Sequence, residues 1–134
     1  MNKSLLKGAE SIPVGQEMGI ISRNSVELFK LDMFPEEPGL LFTQLTPGGR
    51  VVVAGSARHQ FITAFLTSYD LEAVEDEFPV IMQDETGTRW NVFGEAVSGE
   101  RGGEQLQSPV FFSAADWAWR NLYDHVSYYK QPGF

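Results

Sequence analysis

The chain contains no cysteine. That removes disulfides, thiolate nucleophiles and Cys-ligated zinc or iron–sulfur centres from its repertoire. Histidine is almost as scarce. His59 and His125 stand 66 positions apart, which argues against a His-rich metal site and leaves open only a mixed one with carboxylates. Lys and Arg number 10 against 18 acids and fall singly along the sequence. With a net charge of −8 and no basic cluster to neutralise phosphates, nucleic-acid binding is not expected. No run approaches the roughly 20 apolar residues that a membrane-spanning helix requires, so membrane insertion is not expected either. The N-terminus has a basic start but no apolar stretch of signal-peptide length. The default expectation is therefore a cytoplasmic protein, or an exported one if a leader has been removed. Gly55-Ser56-Ala57 is not a nucleophile elbow. The glycine-rich segments 94–99 and 99–103 lack the Gly-Lys-Ser/Thr of a phosphate loop. No motif implies a cofactor.

What is present is an ordinary globular composition: 134 residues, 43% hydrophobic and 21% charged, enough for one domain with a real core. Aromatics reach 13%, with ten Phe, which suits a compact β core. The chain is organised around Pro79 to Gly99. There Val80-Ile81-Met82 and Trp90-Asn91-Val92-Phe93, β-branched and aromatic, flank Asp84-Glu85-Thr86-Gly87-Thr88. Asp84 can bond the backbone two residues on, and Gly87 accepts a left-handed conformation, so the segment reads as a type I turn with a glycine bulge.

In chain order, residues 1–17 show no period and read as a flexible arm. Residues 18–130 read as one β-rich domain, and 131–134 as a tail. Gly19–Ser22 and Val26–Leu31 form an expected hairpin around Asn24, which tolerates a left-handed conformation. Phe29, Leu31 and Met33 share one side of its second strand and Val26 and Leu28 the other, a two-faced pattern that suggests a barrel wall or an oligomer contact. Thr46-Pro47-Gly48-Gly49 specifies a type II turn. Val51-Val52-Val53-Ala54 reads as a buried strand, and 60–68 as the longest one. The acidic run from Asp70 to Glu77 reads as a solvated loop or short helical turn. Leu106, Val110 and Phe111 suggest a short extended piece around Pro109. Ser113 is expected to cap a helix, with Asp116 as its acidic partner. Ala115, Trp119, Leu122 and Val126 make its apolar stripe and Trp117 lies off it. Val126, Tyr128 and Tyr129 read as a last strand. The fold class is mainly β (α+β): a small antiparallel barrel or sandwich of hairpins with one C-terminal helix.

Candidate ligand-binding residues are Arg58 and His59, in a loop between strands, and Trp90 with Arg101. Trp90 is expected in the core with Arg89 exposed. Facing a barrel mouth instead, it could stack a planar or sugar ligand beside Arg58 or Arg101. Asp70, Asp84 and Glu95 are the weak metal candidates, and Asp84 or Glu95 could form a carboxylate pair with Asp70 in the manner of a glycosidase.

Asp84-Glu85-Thr86-Gly87-Thr88-Arg89-Trp90, then Gly94-Glu95-Ala96-Val97-Ser98-Gly99, then Gly103, Leu106 and Trp117 to Arg120 resemble a bacterial domain-of-unknown-function family, number 3179. The similarity spans about 18–129 and is specific in 84–106. Members typically have a cysteine-containing segment after the Val51-type strand, where this chain has Ala54-Gly55-Ser56-Ala57-Arg58. The resemblance implies no established activity and no catalytic residue.

Three readings follow. In the first, a non-catalytic β domain binds a small ligand or a protein partner, as a homo-oligomer through the two-faced strands. It predicts a pocket holding Trp90 or Arg58. The second is a metal- or carboxylate-dependent hydrolase-like enzyme using Asp70, Asp84, Glu95 and His59, which predicts converging acids with a raised pKa. The third is a purely structural interaction module with Trp117, Tyr128 and Tyr129 on a flat aromatic patch.

Overall fold

A computed structural model of the chain describes residues 15–46 and 49–130. It is mainly β, with 52% strand and one C-terminal helix. In chain order the elements are β1 (Gln16–Ser22), β2 (Ser25–Phe29), β3 (Gly39–Thr46), β4 (Gly49–Ser56), β5 (Phe61–Leu66), β6 (Leu71–Ala73), β7 (Val80–Asp84), β8 (Arg89–Asn91), β9 (Ala96–Ser98), β10 (Phe111–Ala115), α1 (Asp116–Leu122) and β11 (His125–Tyr128).

The central layer is the sheet β3-β4-β5. Its middle strand explains the unbroken apolar run in the sequence, because both faces are covered. Val51 and Val53 pack with Met18, Ile20 and Phe29. Val52 and Ala54 pack with Ile81, Met82 and Trp90 on the opposite side. An alternating polar position would bury an unpaired group, so the strand is apolar at every one of these residues. The sheet β6-β7-β8-β9 supplies one cover and the sheet β10-β1-β2-β11 the other. Helix α1 lies over the outer face of the latter, with Trp119 on Val26 and Leu28.

This arrangement corrects several expectations. Among the described residues the sheets are open and no barrel closes. The two faces of β2 are both buried within the chain, Phe29 against the central sheet and Val26 and Leu28 beneath Trp119, so that pattern gives no reason for an oligomer contact. Pairing is antiparallel except between β2 and β11, which run parallel from Ser25 opposite His125. In the first hairpin Arg23, not Asn24, has the positive φ, at 57°. Ser113 lies in β10 opposite Met18, and the helix begins at Asp116. Asp116 bonds Arg120 and Tyr128 instead of closing a capping box. The acidic run opens with a strand, β6, paired to β7. The strand expected over 60–68 is confined to β5. Gln16 and Glu17 belong to β1, while the rest of the N-terminal arm up to 14, the turn at Pro47-Gly48 and the tail lie outside the described residues.

Gly55 shows how tightly the central sheet is packed. A Cβ built there would sit 2.6–2.8 Å from the Phe34 ring, which the fold holds at the edge of the Met18 cluster. Gly55→Ala is expected to cost about 1–3 kcal/mol through overpacking. It would appear as a lower urea midpoint at unchanged slope.

Candidate functional site

The β7–β8 hairpin turns at the residues the sequence marks. The Asp84 amide donates to the Thr88 carbonyl at 3.0 Å and the Gly87 amide to the Asp84 carbonyl at 2.9 Å. Gly87 has φ +84°, the left-handed conformation that closes the bulge. The Asp84 side chain has no exposed surface, yet every bond it needs is made. Oδ1 accepts from the Thr86 amide at 2.8 Å, the Thr86 hydroxyl at 2.6 Å and the Thr88 amide at 3.2 Å. Oδ2 accepts from Trp90 Nε1 at 3.1 Å and Arg101 Nη1 at 2.7 Å.

Burial pushes the Asp84 carboxyl up. The Thr86 hydroxyl, the Arg101 guanidinium, the Thr86 amide and the Trp90 indole outweigh it and hold the pKa far below the usual carboxylate range. A group so firmly ionised cannot act as a general acid near neutrality. Its two oxygens are also engaged.

Arg101 is placed by the segment after β9. Gly99, with φ +95°, lies so close to Thr88 that a Cβ would fall 2.6 Å from the Thr88 Cα. That approach lets the Arg101 amide donate to Thr88 Oγ1 at 3.0 Å. The guanidinium then lies 3.7 Å from the Tyr69 ring centroid and reaches Glu85 at 3.3 Å. The Tyr69 hydroxyl donates to the Glu104 carboxylate, and this bond raises its pKa. Trp90 and Arg101 are thus brought together, but through Asp84. The Trp90 ring is fully buried in the core, so it presents no face on which a ligand could stack. Arg89 is half-buried and pairs with Glu77 at 3.0 Å.

The other candidates are held elsewhere. Arg58 pairs with Glu37 at 2.8 Å, and His59 stacks on Phe78 at 4.1 Å between centroids. Glu95 receives Asn91 Nδ2 at 2.9 Å, while Asn91 Oδ1 accepts the Phe93 and Glu95 amides, which makes Glu95 part of the β8–β9 turn. Asp70 is well exposed and stands 3.8 Å from Arg50. Among the described residues no group of three or more His, Asp or Glu side chains converges as metal ligands would.

Two clefts lie beside the network. One, of about 490 Å³, is bounded by Phe42, Arg50, Asp70, Glu72, Gln83 and Glu85, with Asp84 behind them. The second, of about 420 Å³, lies on the far side of Arg50 and includes Tyr69, Glu104, Gln105 and Gln107. Arg50 separates them. Its guanidinium donates to the Tyr69 carbonyl and lies 4.9 Å from the Phe42 ring centroid. Phe42, Arg50 and Glu72 escape sequence reasoning because they come from three separate strands. Alternation along β3 can put Phe42 on a face with Leu40, but which face stays open depends on how the sheets stack.

No helix among the described residues is long and apolar enough to cross a membrane. No family model, no curated protein and no solved structure matches the chain.

Proposed function

We propose that the domain is a non-catalytic binding module whose small, positively charged ligand enters the cleft between the β3–β4 and β6–β7 hairpins. The observation that carries this is the cleft itself. Its volume of about 490 Å³ falls in the range of small-molecule sites, roughly 300–1,000 Å³. Phe42 offers an aromatic ring beside Arg50, and the exposed carboxylates Asp70, Glu72 and Glu85 outnumber that one lining cation, while Asp84 behind them is already paired with Arg101. Aromatic rings and carboxylates are the groups that recognise an organic cation. Behind them the Asp84 network keeps the wall fixed, which lowers the ordering cost of binding. Kinship with family 3179 forms part of the same proposal, supported by Asp84, Thr86, Gly87 and Trp90, which stand in the β7–β8 turn and its hydrogen-bond network.

A thermal-shift panel of divalent metals, sugars, nucleotides, small acids and small amines tests the reading. An amine or guanidinium compound at about a hundred times its dissociation constant should stabilise the fold by roughly 2.7 kcal/mol. Phe42→Ala and Glu72→Gln should each remove that shift. A shift that survives both changes overturns the cleft assignment, and one seen with metals alone overturns the organic cation.

A further inference from the structure

Arg50 is out of place in a cleft that takes a cation. It forms the wall between the two clefts, and its guanidinium repels any like charge that enters the acidic one. Its own partners do not neutralise it. Of its five N–H donors, one finds an acceptor among the described residues, the Tyr69 carbonyl. Nε is buried without an acceptor among them. Nη1 lies 3.8 Å from Asp70, beyond hydrogen-bond length, and that carboxylate is 86% exposed to water. A guanidinium so under-bonded has donors left for an acceptor brought from outside.

The second cleft suits that acceptor. The one acid that lines it, Glu104, is engaged by the Tyr69 hydroxyl at 2.8 Å, and the Arg101 guanidinium lies over the same ring at 3.7 Å. Ser68 and Gln107 line it too. Both are exposed, and their side chains bond to none of the described residues. The two clefts therefore differ in character. Carboxylates dominate on one side of Arg50, and uncommitted N–H and O–H donors line the other.

We infer, on the cation-binding reading above, that the ligand also carries a carboxylate, which Arg50 binds from the side of Ser68 and Gln107. The ligand is then an amine or guanidine bearing a carboxylate, the chemistry of a basic amino acid. Its carboxylate turns the one repulsive group of the site into an attractive one. Pairing of a carboxylate with the guanidinium fork also fixes the direction in which the ligand lies. A cation without that group meets only the repulsion, which is how a site rejects close analogues.

Matched probes test this, because arginine differs from agmatine, and lysine from cadaverine, by the carboxylate alone. Isothermal titration of the native chain should show the amino acid of a pair binding about tenfold more tightly than its amine, or better, the scale of one charged hydrogen bond. Arg50→Gln should abolish that preference and leave the amine bound as tightly as before or more so. Gln107→Glu, at an exposed position, should weaken the amino acid and spare the amine. Equal binding within each pair, or tighter binding of the amine, overturns the carboxylate and leaves the cation-binding cleft standing. Binding of neither member overturns both. A preference that survives in folded Arg50→Gln, or an amino acid indifferent to Gln107→Glu, also overturns it. If Arg50→Gln fails to fold, the native pairs and Gln107→Glu decide.

Discussion

Asp84→Ala is expected to destabilise the domain by about 3–5 kcal/mol, the scale for breaking a buried ion pair from one side. The loss comes less from the Arg101 pair than from what remains. Trp90 Nε1 and the Thr86 and Thr88 donors lose their acceptor, and Trp90 and Thr88 lie fully inside the structure. At roughly 4 °C per kcal/mol for a domain of this size, the midpoint falls by roughly 12–20 °C. Calorimetry of the variant measures it directly. A drop of only a few degrees would show that the carboxylate is dispensable to the core.

The same group sets a pH dependence. The folded-state pKa of Asp84 is depressed, so the unfolded chain binds the proton more readily. Its stabilisation is present in full above the ordinary carboxylate range and is lost as pH falls through that range towards the folded value. Urea midpoints measured from neutrality into acid should decline more steeply for the native chain than for Asp84→Asn. Asp116, lowered chiefly by Arg120, is unchanged in that comparison and leaves a shared residual slope.

Trp119→Ala is the second large effect, also about 3–5 kcal/mol. The indole is fully buried between α1 and the outer face of β1 and β2, stacked on Phe112 at 4.5 Å and tilted against Tyr123 at 5.9 Å. Its Nε1 donates to the Glu17 carbonyl at 3.1 Å. The void would reach Gly19, where even a methyl would approach the ring to 2.7 Å. Denaturant unfolding should show the loss, with Trp119→Phe recovering part of it. Trp117→Ala, at 71% exposure, should change stability little.

The β7–β8 turn was legible because its signals are local: an aspartate that bonds two residues on and a glycine where φ must be positive. The buried strand 51–54 was legible because only a strand covered on both faces stays apolar at every residue. The start of the helix was not. Ser113 has the chemistry of a cap, but its pairing opposite Met18 wins, and tertiary contact outweighs a local preference in a helix of seven residues. The stripe containing Trp119 was read correctly at that residue, whereas Leu122 is exposed and Val126 belongs to β11. The Asp84–Arg101 pair spans 17 positions with no periodic signature, and Gly99 brings its ends together only in three dimensions. The cleft has the same origin, since its walls come from β3, β4, β6 and β7.

The parallel pairing of β2 with β11 also fixes an order of events during synthesis. The β1–β2 hairpin emerges early, but both strands that flank it and the helix that covers its outer face are made only after β3 to β9. Until then Val26 and Leu28 face water and both hairpin edges stand open. A nascent chain stalled before Phe111 would thus hold a completed β3–β9 core and a hairpin still exposed to chaperones or proteases.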